Sequence, residues 1–175
     1  MEKLIVFYDD AKTSCCRCVE RLTGYDHVEC RKVSDYRDKS LIFATGAKIG
    51  LIFESENGRV PYGISHIIWR MTADKKRAHM ILVTGGSREF RAIRTAERDM
   101  EKRGYYVRDI YTRYMLDKNH LTEEDTIKWV LNDIETGQTE YEIKNKYRNL
   151  SKKELRKEIR RELKSYRKYQ RDHQK

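Results

Sequence analysis

Five apolar residues in a row, Leu4-Ile-Val-Phe-Tyr8, run straight into Asp9-Asp10-Ala-Lys-Thr-Ser14 and then into a helical pattern from Cys15 to about Thr23. An unbroken apolar run of this length predicts a strand covered on both faces, as in the middle of a parallel sheet. Strand and helical segments then alternate along the chain. Val28 to Val33 alternates with charged residues, which predicts an edge strand with Val28, Cys30 and Val33 as candidate inner positions. Leu41-Ile-Phe-Ala44 reads as a helix turn or the start of a strand. Ile49-Gly-Leu-Ile-Phe53 is a second buried strand, followed by a loop that holds Gly58 and the chain's one proline, Pro61. Pro61 suits a first helical position, and Ile64, Ile67, Ile68 and Met71 predict a helix that ends near Ala73. Met80 to Val83 is the next strand; a helix from about Arg88 to Arg103 is closed by Gly104. Tyr105 to Tyr111 is half apolar, hence an edge, and Thr122 caps a helix bearing Ile127, Val130, Leu131 and Ile134, ended by Gly137. Five strands joined through helices imply right-handed crossovers and an α/β fold. Its expected form is a three-layer α/β/α sandwich around a five-stranded parallel sheet. In such a sheet ligands bind outside the carboxyl ends of the strands, where helix N-termini favour anions.

The 175 residues suffice for one such domain, expected over residues 1–137, and a basic helical extension over 138–175. No apolar run approaches the roughly 20 residues that cross a bilayer, and the start lacks the pattern of a signal peptide. The expectation is a cytoplasmic protein with no membrane contact and with Cys15, Cys16, Cys18 and Cys30 as thiols. The net charge of +10 is uneven: residues 1–120 carry 23 basic and 17 acidic side chains, residues 121–150 carry 4 and 7, and residues 151–175 carry 11 and 4. Ser151-Lys-Lys-Glu154 is a capping-box pattern, and Leu155, Ile159, Leu163 and Tyr166 form one apolar stripe in a basic surround. That stripe packs on the domain, on a second copy in a homodimer, or on a partner. Glu142-Ile143, Tyr147 and Leu150-Ser151 loosely resemble a helix-turn-helix, but Lys144 stands where a small residue belongs. A basic helix can also contact nucleic-acid phosphates without reading sequence.

Taken in order, Ile5-Val-Phe-Tyr8, Ile49-Gly-Leu-Ile-Phe53 with Asn57-Gly58 and Pro61, Leu82-Val-Thr-Gly-Gly86, and Tyr114-Met-Leu-Asp-Lys-Asn119 resemble the flavodoxin family over roughly residues 3–137. The resemblance implies strand order 2-1-3-4-5 and FMN as cofactor. It places Asp9, Asp10, Ala11, Lys12, Thr13 and Ser14 around the FMN phosphate. Glu54, Ser55, Asn57 and Gly58, with Thr84, Gly85, Gly86 and Ser87, would flank the flavin ring. The phosphate loop departs from the family: only Thr13 and Ser14 keep hydroxyls, Lys12 replaces a glycine, and two carboxylates would each repel the phosphate by on the order of 1 kcal/mol. The ring loops contain no aromatic residue, although Tyr62 and Phe90 lie nearby in sequence. The implied function is FMN-dependent electron transfer to a redox partner protein. The alternative keeps the fold without cofactor and uses the basic C-terminal helix as a protein- or nucleic-acid-binding module.

Three side-chain groups allow rival readings. Cys15, Cys16 and Cys18 at a helix start suit a redox or metal role with Arg17 as support, or ordinary packing with Cys15, Cys18, Val19 and Leu22 inward and Cys16 outward. Asp9 and Asp10 suit a divalent cation, as in the receiver domains of response regulators, or cap the first helix and pair with Lys12 or an arginine. The receiver-domain reading lacks its phosphoacceptor aspartate, because the strand ends Ile52-Phe53-Glu54. His66 and Trp69 read as surface and core residues of a helix, and His27, His79 and His120 have no nucleophile at useful spacing, so no hydrolytic triad is expected.

Overall fold

A computed structural model describes residues 2–113 and 122–136, with single residues and short runs between 151 and 171. In chain order the elements are β1 (Leu4–Tyr8), α1 (Thr13–Leu22), β2 (Val28–Lys32), a 3-10 turn (Val33–Tyr36), β3 (Ile42–Ala44), β4 (Lys48–Ser55), α2 (Tyr62–Arg70), β5 (Met71–Ala73), β6 (Ala78–Gly86), α3 (Glu89–Lys102), β7 (Tyr106–Thr112) and α4 (Glu123–Thr136). Five strands form one parallel sheet in the order β2-β1-β4-β6-β7. Counted within that sheet alone, this is the expected order 2-1-3-4-5, with β2 and β7 at the edges.

The period-two alternation of the strands divides the apolar residues between two cores. Ile5, Phe7, Leu51, Phe53, Ile81 and Val83 face α2 and α3, whose Ile64, Ile67, Ile68, Ile93, Ala96 and Met100 cover them. Leu4, Val6, Ile52, Met80 and Leu82 face the opposite way, under Cys15, Val19 and Leu22 of α1 and Ile127, Val130, Leu131 and Ile134 of α4. Each large side chain so buried contributes about 1.5–3 kcal/mol. Helices therefore cover both faces of the sheet, which makes the three layers. Thr122 caps α4 as expected: its hydroxyl accepts the Asp125 N–H at 3.0 Å while donating to the Asp125 carboxylate at 2.7 Å.

The segment between α2 and β6 differs from the sequence expectation. Helix α2 stops at Arg70, Pro61 is its N-cap rather than its first residue, and Met71 turns to extended backbone with ψ 147°. Met71–Ala73 then pairs in parallel with Ile42–Ala44 as a separate two-stranded sheet. The Tyr105 hydroxyl secures this piece, donating to the Met71 carbonyl at 2.9 Å and accepting the Ala73 N–H at 3.2 Å. Met71 is fully buried in this strand, so burial there meets the same apolar demand that its spacing from Ile67 and Ile68 suggests for a helix, and the spacing misleads.

A polar network joins β4, β7 and α4. Lys48, 1% exposed, pairs with the fully buried Asp109. The Arg108 guanidinium grips the same carboxylate through Nε and Nη2 at 2.7 and 2.8 Å and donates to the Asp133 carbonyl at 3.2 Å. The Tyr111 hydroxyl donates to the Asp133 carboxylate. In the extension Ser151 and Glu154 exchange the two hydrogen bonds of a capping box. Residues 114–120, Gly137, the helix-turn-helix-like positions from 142 to 150, and Leu155, Ile159, Leu163 and Tyr166 lie outside the described residues.

Candidate functional site

The carboxyl ends of β1, β4, β6 and β7 set the site. Beyond β1 the Asp9 N–H still donates to the Ile52 carbonyl at 3.0 Å, and the chain then turns sharply, with the Lys12 N–H on the Asp9 carbonyl at 3.1 Å. The Asp9 carboxylate closes the turn by accepting the Ala11 N–H at 3.2 Å. Asp10 points away to the loop after β2, where it accepts the Ser34 N–H and hydroxyl at 3.0 and 2.6 Å. Burial alone would raise the Asp10 pKa, but the two Ser34 bonds outweigh it and hold the carboxyl below its ordinary range. The paired acids thus diverge. Neither caps α1, whose N-cap is Lys12 without a side-chain bond, and the Lys12 ammonium sits 4.0 Å from Glu56. Among the described residues no three His, Cys, Asp or Glu side chains group as metal ligands.

One turn further the chemistry converges. The Ser14 hydroxyl donates to Glu54 Oε1 at 2.6 Å and lies 2.7 Å from Thr84 Oγ1. A serine has one proton to give, so Thr84 donates to Ser14. Cys15 Sγ is 3.4 Å from Thr84 Oγ1. Burial pushes the Cys15 thiol up to about 11, so it remains protonated and donates. The result is a directed line of hydrogen bonds from Cys15 through Thr84 and Ser14 to the Glu54 carboxylate.

Beside this line an open cleft of about 40 Å³ is lined by Ser14, Arg17 and Cys18 of α1, Thr84 of β6, Arg113 just past β7, and Thr126 of α4. At 10–15 Å³ per water this is room for about three waters, or for one tetrahedral oxyanion. Two arginines from different elements give it positive charge. The Thr126 hydroxyl donates to the Thr122 carbonyl at 2.8 Å, so the hydroxyls of Ser14, Thr84 and Thr126 all spend their protons within the fold and have lone pairs to offer.

The two loops expected to flank a flavin ring are bonded to each other. The Gly58 N–H and the Ser55 hydroxyl both donate to the Ser87 carbonyl, at 3.0 and 2.6 Å, and the Ser87 hydroxyl lies 3.4 Å from Asn57 Oδ1. Gly86, at φ 89°, passes so close that a Cβ there would stand 2.1 Å from the Ser55 carbonyl oxygen. Tyr62 is exposed and stacked on His66, and Phe90 is buried in the fold. These loops leave no ring-sized gap between them and bring no aromatic side chain to it. The residues of these two loops therefore do not fit a flavin ring held between them.

Of the expected site residues, Ser14 and Thr84 reach the cleft and Glu54 is one hydrogen bond away. Asp9, Asp10, Ala11, Lys12 and Thr13 do not line it, nor do Ser55, Asn57, Gly58, Gly85, Gly86 and Ser87. Arg17, Cys18, Arg113 and Thr126 were not expected there. Arg17 and Cys18 follow Ser14 by three and four residues, a helical spacing that marks them as its neighbours. Arg113 and Thr126 carry no such local signal. Cys15, Val19 and Leu22 are buried and Cys18 is partly buried against the same core while also lining the cleft, as the packing reading expects, whereas Cys16, expected outward, is partly buried against that core too.

No helix among the described residues is long and apolar enough to cross a membrane. Compared with family models, curated proteins and solved structures, the chain matches none.

Proposed function

We propose that the chain is a flavodoxin-like binding module that takes the phosphate of a small phosphomonoester into the cleft between α1 and α4. The observation that carries this is the meeting of Arg17 and Arg113 with three hydroxyl-bearing residues in one cleft at the carboxyl ends of the strands. A guanidinium fork matches phosphate oxygens in geometry and charge. Ser14 and Thr84 offer lone pairs, and Glu54 lies one hydroxyl away, so the species favoured is the monoanion, whose P–OH donates where a dianion would be repelled. A phosphomonoester loses that proton near pH 6, and affinity should fall about tenfold or more between pH 6 and pH 8. FMN is the first ligand to test because of the flavodoxin resemblance. Electron transfer is the second reading; the strand order favours it, and it requires the ring to be held.

Calorimetric titration with FMN and with ribose 5-phosphate separates the readings. Binding of both, weakened at least tenfold by Arg113→Gln, supports the phosphate module. Retention of FMN alone, with its visible absorbance after gel filtration, supports the electron carrier. No heat with either ester, and no quenching of FMN fluorescence, overturns both.

A further inference from the structure

Helix α3 turns a row of basic side chains to solvent on the face of the sheet opposite the cleft. Arg91, Arg94, Arg98 and Lys102 follow at separations of three, four and four residues, which keeps them on one side of the helix, and Arg88 stands at its N-cap. Arg88, Arg91, Arg98 and Lys102 are exposed and Arg94 is half exposed. Phe90, Ala92, Ile93, Ala96 and Met100, on the other side, are buried.

The helix's own acids do not cancel this row. Glu89 and Glu97 are buried beneath it. Asp99 lies at one margin, 3.6 Å from Arg98, and Glu101 lies at the other. Arg88, Arg91, Arg94 and Lys102 form no ion pair among the described residues. Arg59 extends the row, because the turn that carries it abuts the start of the helix: a Cβ on Gly58 would come 3.1 Å from Arg88 and 2.9 Å from Arg91. Glu56 on the same turn faces Lys12.

We infer that this face docks the phosphodiester backbone of a nucleic acid without reading its sequence. The 14 residues of α3 span about 20 Å, and phosphates recur about every 3.4 Å of rise along one strand of a duplex. Because the strand winds around the duplex, its phosphates lie roughly twice that far apart along its own path, and a row of this length meets about three of them. Arginine rather than lysine predominates, which suits bidentate contact with phosphate oxygens. A lipid surface fits less well, because an interfacial helix needs an apolar face to insert and that of α3 is already spent on the core. An acidic protein offers no comparable regular spacing of charge.

The test uses the full-length protein, and fluorescence anisotropy with two labelled probes of mixed sequence: a duplex DNA of about two helical turns and a single-stranded RNA of equal length. R91Q/R94Q/R98Q should lower affinity at least tenfold and reduce the slope of log K against log salt by about two to three. R91K/R94K/R98K should keep most of the slope. Glutamine suits a helix nearly as well as arginine, and circular dichroism checks that the fold survives. A full-length R156Q/K157Q/R160Q/R161Q variant measures the share of the basic C-terminus. Loss in the α3 variant with either probe supports the proposal, and the probe that loses more identifies DNA or RNA as the source. An α3 variant that matches the parent in affinity and slope overturns it, whatever the C-terminal variant does. So does a parent that fails to bind either probe at about 50 mM salt, or an α3 effect confined to anionic vesicles or an acidic peptide.

Discussion

His79 is fully buried, and both ring nitrogens are committed: Nδ1 accepts the Ile49 N–H at 3.1 Å and Nε2 donates to the Asp74 carbonyl at 3.0 Å. That arrangement requires a neutral ring, and burial pushes its pKa from 6.5 down to about 4. Since the fold prefers the unprotonated form, its contribution is complete above the unfolded value and is lost as pH falls from 6.5 towards 4. Urea unfolding midpoints measured across that interval should fall by the equivalent of about 3 kcal/mol, and His79→Gln should flatten the dependence. The sequence marks this histidine only as lacking a catalytic neighbour, because its partners are backbone groups of other segments. The cleft shows the same limit at residue scale. Ser14 was legible from its place just beyond a buried strand and Thr84 from the flavodoxin resemblance, whereas Arg113 lies just past β7 and Thr126 on α4, with no local pattern to join them.

At the scale of elements, the strap from β2 to β4 closes on α2 at a glycine: a Cβ on Gly63 would stand 2.2 Å from Val33 Cγ1. Gly63→Ala should therefore cost about 1–3 kcal/mol, read as a lower thermal midpoint, and Val33→Ala should recover part of it in the double variant. The joint between β7 and α4 rests instead on charge. Asp109→Asn leaves Lys48 and Arg108 beside an uncharged amide and should destabilise by about 3–5 kcal/mol. In chemical denaturation Lys48→Met should be much less harmful in that background than alone, the mark of a coupled pair. Alternation and helical spacing made the main strands and helices legible. They could not show β5, because three extended residues after a helix keep Met71 buried as a further helical turn would. The Lys48–Asp109 pair joins residues 61 apart and leaves no local pattern.

At the scale of the whole molecule, the parallel sheet follows from the buried runs, while the order of its strands came with the flavodoxin resemblance. Periodicity says which faces are apolar, not which strands are neighbours. The same alternation places the proposed phosphate cleft on the α1/α4 side and the arginine row on the α2/α3 side. Between them lies a partition one strand thick, with a separate close-packed core on either side. Paired substitutions taken one from each core should add in free energy to within about 0.5 kcal/mol, which unfolding of a Val19→Ala, Ile67→Val double variant checks. The partition also works as a wall between two rooms with separate doors. Under the two proposals made above, a small phosphate ester and a polynucleotide would enter from opposite sides of it, so binding of one would not evict the other.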